Sequence, residues 1–110
     1  MNGPKRKQAP RYVLTDIQNA VEGDPRGCVI TRRALNDAAS MGFDDIDVYT
    51  AIGELEKTDF QESLPSDLCP GAFQDVYRLQ QFEGWDIYCK VQMIVPGRPV
   101  VISFKPWGRP

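Results

Sequence analysis

Three pairs of side chains carry groups able to handle a phosphodiester: Gln74 with Arg78, Tyr88 with Lys90, and Ser103 with Lys105. Within each pair the spacing is even, so in extended chain both members share a face. The chain has no histidine, which removes the commonest general acid–base near neutral pH and the commonest metal ligand. Cleavage by a neighbouring 2′-hydroxyl requires neither. It needs a base for the hydroxyl, positive charge at the developing phosphorane and an acid for the leaving 5′-oxygen. Lys90, Lys105 and Arg78 can supply the charge, Tyr88 can donate a proton, and Gln74 can orient a phosphate or a base by hydrogen bonds. The same residues also have a plain structural account. Lysine and arginine are ordinary on the solvated face of an antiparallel sheet, where edge lysines discourage sheet-to-sheet pairing, and a tyrosine there is an ordinary cross-strand partner.

The elements that must position these groups are three strands, at about residues 72–80, 85–95 and 100–105, separated by the turn signals Glu83-Gly84 and Pro96-Gly97-Arg98-Pro99. The middle strand is clearest. Trp85, Ile87, Cys89, Val91, Met93 and Val95 alternate with Asp86, Tyr88, Lys90 and Gln92, giving one packing face and one polar face. On the first strand Asp75 interrupts an apolar side made by Phe73, Tyr77 and Leu79, so it is expected to tie down a backbone amide or a cation beneath the sheet.

The preceding half reads as helical. Leu14, Ile17 and Val21 form a stripe, with Thr15 and Gln18 spaced as a capping box. After the break at Gly23-Asp24-Pro25-Arg26-Gly27 comes the short apolar run Cys28-Val29-Ile30. Thr31 then caps a helix that turns Ala34, Leu35, Ala38 and Ala39 inward and closes at Gly42. Asp44-Asp45-Ile46-Asp47 opens a third helix carrying Val48, Ile52 and Leu55. Its carboxylates suit the helix dipole better than a metal site. A short helical turn is expected at residues 60–64, with Asp59 and Glu62 as its N-cap and N3 pair. The predicted class is α+β, with N-terminal helices packed on a C-terminal three-stranded antiparallel sheet. Residues 1–10 form a disordered basic tail, and residues 11–107 a single domain.

Composition sets the outer limits. At 110 residues, 42% hydrophobic and 25% charged, the chain is that of one ordinary globular domain. It has neither an apolar run of membrane-spanning length nor the apolar core of a signal peptide, so a cytoplasmic location is expected. Cys28, Cys69 and Cys89 show no disulfide or metal-ligand spacing, and no cofactor is implied. The net charge of −2 is unevenly spread, with a basic start at Lys5-Arg6-Lys7, an acidic helical half and a basic sheet. The basic start reads as a solvated tail or a phosphate-binding arm. An acidic total argues against indiscriminate nucleic-acid binding, while a local basic face can still engage phosphates.

Several segments, in order, resemble one family. Thr31-Arg32-Arg33-Ala34-Leu35, Met41-Gly42, Asp59-Phe60, Gln74-Asp75-Val76-Tyr77-Arg78, Ile87-Tyr88-Cys89-Lys90 and Val101-Ile102-Ser103-Phe104-Lys105 are similar to the MqsR family across residues 11–105. The resemblance implies a RelE-like fold and a toxin of a type II toxin–antitoxin system that cleaves single-stranded messenger RNA without a metal. It also implies an antitoxin partner that binds zinc and, through another domain, DNA. Catalytic roles then fall on Gln74, Tyr88 and Lys105, with Arg78, Lys90 and Ser103 available for RNA binding. The family's lysine after Asp-Phe is replaced by Glu62, a carboxylate that can serve as a base but repels phosphates. Two further readings stay open, the first of them favoured by that replacement and by the acidic helical half. One is a weakened or inactive relative that acts by binding its antitoxin. The other is a small RNA-binding module that stacks bases on Trp85, Tyr88 and Trp107.

Overall fold

Alternation of Ile87, Cys89 and Val91 with Asp86, Tyr88 and Lys90 does produce a strand that is buried on one side, and that strand is the centre of the molecule. The structure, a computed structural model, describes residues 9–108. The basic tail expected at residues 1–10 falls mostly outside them. The elements are α1 (Leu14–Gly23), β1 (Val29–Ile30), α2 (Arg32–Ser40), α3 (Asp45–Glu54), β2 (Phe60–Pro65), β3 (Phe73–Phe82), β4 (Trp85–Gln92) and β5 (Val100–Pro106). The class is α+β, as expected.

The sheet is larger than the predicted three-stranded meander. It has five strands in the order β1-β5-β4-β3-β2 among the described residues, antiparallel throughout except where β1 runs parallel to β5. Residues 60–64 are strand, not helix. A helix of that length closes too few hydrogen bonds to offset its nucleation, whereas β3 offers an edge of backbone groups that β2 satisfies from Phe60↔Tyr77 to Pro65↔Phe73. Asp59 accordingly does not pair with Glu62. It ends the 3₁₀ turn Lys57–Asp59, and its carboxylate accepts the Glu56 N–H at 2.8 Å. The apolar run before Thr31 becomes β1, with Val29 opposite Val100 and Ile30 opposite Val101.

The β3–β4 hairpin closes through Glu83 (φ 49°) and Gly84 (φ 85°). Two successive positive φ values are what a two-residue turn needs to follow the twist of its strands. β4 ends at Gln92 rather than near Val95, and Ile94 and Val95 are exposed. Trp85 has the parity of the packed side but sits at its rim, 38% exposed.

Helices cover one side of the sheet. Leu14, Ile17, Val21, Ala34, Ala38, Val48 and Ile52 pack with Tyr77, Ile87, Cys89, Val101 and Phe104 in one core. Thr31 caps α2 by accepting the Ala34 N–H at 3.1 Å, and Asp44 with Asp47 makes the capping box of α3. Two details differ from expectation. Leu35 and Ala39 face outward, leaving α2 a narrow Ala34–Ala38 stripe. α1 starts at Leu14 without a side-chain cap, while Gln18 donates to the Ile52 and Leu55 carbonyls and so ends α3 instead. Asp75 behaves as expected. Fully buried, it accepts the backbone N–H groups of Arg11 and Tyr12 at 3.0 and 2.9 Å. No described helix is long and apolar enough to cross a membrane.

Candidate active site

Register fixes which polar side chains meet, because residues directly opposite in an antiparallel pair project from the same face. Arg78 is opposite Tyr88, and Tyr88 is opposite Lys105, so these three form one row across β3, β4 and β5. The next row runs Glu62, Val76, Lys90, Ser103. A register shift after Lys90 leaves Ile102 beside Ser103 at the same cleft, as a bulge does.

Tyr88 is the hub of the first row. Lys105 Nζ lies 5.0 Å and Lys90 Nζ 5.9 Å from its ring centre, and the Trp107 ring is 5.4 Å away at a 33° tilt. Trp107 is held by its backbone N–H donating to the Asp86 backbone carbonyl at 2.7 Å and carries the Arg78 guanidinium 5.0 Å from its own ring centre. Arg78 is clamped by the Asp86 carboxylate, with Nη2 2.6 Å and Nε 3.2 Å from its oxygens. Two cations beside one phenol ring concentrate positive charge at an aromatic side chain, an arrangement chemically suited to an anion such as phosphate.

Lys90 and Gln74 are differently placed from what parity alone suggests. The loop at residues 66–71 lies over them. Lys90 Nζ is 2.6 Å from Asp67 Oδ2, with the lysine side chain 14% and the aspartate 56% exposed. Gln74 is buried, and its Oε1 accepts the Asp67 N–H at 3.1 Å. Ser66 Oγ donates to Gln92 Oε1 at 2.7 Å and accepts the Leu68 and Cys69 N–H groups. Hydrogen bonding from Lys90, aided by the charge of Arg33, holds the Asp67 carboxyl below its ordinary range against the opposing effect of burial.

Between this loop, α2 and β5 is a cleft of about 500 Å³ bordered by Arg33, Asp37, Asp67, Lys90, Ser103 and Lys105. Thr31 shapes its floor by donating to the Ile102 carbonyl at 2.9 Å. Sequence reasoning missed Asp67 and Arg33. The Ser66 turn was a local signal that the loop is structured, but nothing in the sequence ties Asp67 to a lysine 23 residues later. Glu62 stands on the edge strand in the Lys90 row, with Val76 between. Among the described residues no group of three or more His, Cys, Asp or Glu side chains is arranged to hold a metal ion.

Comparison with known proteins gives one family. A family model described as motility quorum-sensing regulator, toxin of MqsA, matches residues 9–106, from the N-terminal segment that Asp75 anchors to the end of β5. No curated protein matches the chain. With almost the whole described chain matched, the protein belongs to the MqsR toxin family.

Proposed function

We propose that this member of a toxin–antitoxin system is an endoribonuclease that cuts single-stranded messenger RNA in the cytoplasm without a metal. The 2′-oxygen attacks phosphorus and the bond to the 5′-oxygen breaks, leaving a 2′,3′-cyclic phosphate and a 5′-hydroxyl. Lys105 offsets the charge of the phosphorane, Tyr88 gives a proton to the leaving oxygen, and Glu62 at the β2 edge takes the proton of the 2′-hydroxyl. Gln74 acts from below by setting the loop that carries Asp67, while Arg78, Lys90 and Ser103 bind the RNA strand. The observation that carries this reading is the in-register row Arg78–Tyr88–Lys105, with Lys105 Nζ 5.0 Å from the Tyr88 ring centre. Family membership implies an antitoxin partner, which we take to be of the zinc- and DNA-binding type.

Purified protein should cut single-stranded RNA in EDTA. Tyr88→Phe and Lys105→Ala should each slow cutting by about 10²–10⁴-fold, the usual range for a positioned acid or counter-charge. Undiminished cleavage by both variants overturns the assignment. A second reading, an attenuated toxin that keeps antitoxin binding, is favoured by the pairing of Lys90 with Asp67 and of Arg78 with Asp86. It requires that the natural chain fail to cut RNA and that Glu62→Lys restore cutting.

A further inference from the structure

The Asp67–Lys90 pair deepens the proposed function, and the inference below rests on reading this face as the one that meets RNA. We propose that the cleft between α2, the 66–71 loop and β5 is a second phosphate subsite, for the phosphodiester next to the scissile one. In the free protein the Asp67 carboxylate occupies Lys90 as an internal stand-in for that phosphate.

Three observations carry it. First, the cleft gathers positive charge from three separate elements: Arg33 of α2, Lys90 of β4 and Lys105 of β5 stand against only Asp37 and Asp67. Lys90 is mostly shielded from water, so without a carboxylate it would leave an ammonium short of a counter-ion. An anion is therefore the natural occupant when Asp67 withdraws.

Second, Asp67 is built to withdraw. Its backbone is held by Gln74, and the loop by the Ser66–Gln92 hydrogen bond. The carboxylate can leave Lys90 by side-chain rotation alone, and because it is more than half exposed, water can take over its hydrogen bonds. Displacement does not require the loop to unfold.

Third, the spacing suits a strand of RNA. Lys90 and Tyr88 are two residues apart on one face of β4, a step of about 6.7 Å along a strand. That is of the order of the separation between successive phosphates in an extended single strand. A phosphodiester at the Tyr88–Lys105 row thus brings its neighbour to Lys90.

The test uses a labelled 2′-deoxy oligonucleotide, which lacks the attacking hydroxyl and so reports binding without cleavage, followed by fluorescence anisotropy over a range of salt. Asp67→Asn should tighten binding about 3–10-fold at low salt because no carboxylate has to be displaced, whereas loss of Lys90 should shallow the salt dependence by about 0.7, the increment for one phosphate contact on a single strand. Asp67→Ser should tighten binding likewise through a different side chain. Lys90→Gln should weaken binding, and the double variant Asp67→Asn with Lys90→Gln should lose the gain. Unchanged or weaker binding by both Asp67 variants overturns the inference, as does equal tightening when Lys90 is absent. The binding result stands apart from catalysis. A chain that tightens as described but never cuts RNA refutes the nuclease reading alone, and one that cuts RNA without tightening refutes the subsite alone.

Discussion

Gln74→Ala separates two ways in which one glutamine can matter. The side chain is 1% exposed and its amide oxygen accepts the Asp67 N–H at 3.1 Å, so its first effect is on the loop. Losing a neutral hydrogen bond costs about 0.5–1.5 kcal/mol. Removing a buried methylene and leaving a small void adds about 1 kcal/mol. The sum, about 2 kcal/mol, is a sizeable part of the ~5–15 kcal/mol that stabilises an ordinary domain and corresponds to a fall in Tm of about 8 °C for a chain of this size. Thermal and urea unfolding read the total. Hydrogen exchange at the Asp67 amide reads the local part, which should speed several-fold because its acceptor is gone. RNA cleavage should fall as a consequence, through a displaced 66–71 loop beside the reacting row. If stability and Asp67 exchange are unchanged while cleavage is abolished, Gln74 contacts the substrate directly and the strut reasoning is wrong.

Other perturbations test separate parts of the structure. Asp75→Ala removes a buried carboxylate that receives two backbone N–H groups. It should cost about 3 kcal/mol or more in urea unfolding, given about 1.5–3 kcal/mol for each hydrogen bond to a charged group. Glu62→Gln should reduce RNA cleavage about 10²-fold if the carboxylate takes the hydroxyl proton, whereas undiminished activity would remove Glu62 from the mechanism. Burial raises the Cys28 and Cys89 thiols from 9.0 to about 11 and about 12. The unfolded chain thus loses these protons before the native one does. The associated stability is fully present below about pH 9 and is lost as pH rises through 11 to 12. Tyr12, Tyr49 and Tyr77 are raised too, chiefly by burial, and act in the same direction. Urea midpoints should therefore decline on the alkaline side, and a midpoint that holds to pH 11 contradicts this. In the native protein a thiol reagent should modify the half-buried Cys69 well before Cys28 or Cys89.

Much of the sheet was legible because alternation is a local signal. Ile87, Cys89 and Val91 announce their face without reference to any other segment, and Glu83-Gly84 announces the hairpin. β2 was not legible because Gln61-Glu62-Ser63 has little intrinsic preference for strand. It is extended because β3 offers it an edge, a fact of tertiary structure. Gln18 looked like half of a capping box, yet its amide is used 34 residues away at the end of α3. Parity put Gln74, Arg78, Tyr88, Lys90, Ser103 and Lys105 on one side of the sheet. It could not show that the 66–71 loop covers Gln74 and supplies Lys90 with a carboxylate, because side-chain direction says nothing about what is laid on top.

The position of β5 has a bearing on the life of the nascent chain. β5 is the last strand of the sheet in sequence but lies inside it, between β4 and β1, and it carries Lys105 to Tyr88. β1 has to wait 71 residues of synthesis for its partner, from Val29 to Val100, so sheet closure is a long-range, late event. A ribosome making this protein therefore carries an unfinished product in which Tyr88 still lacks its lysine. The Arg78–Tyr88–Lys105 row first exists when translation of the domain is all but complete.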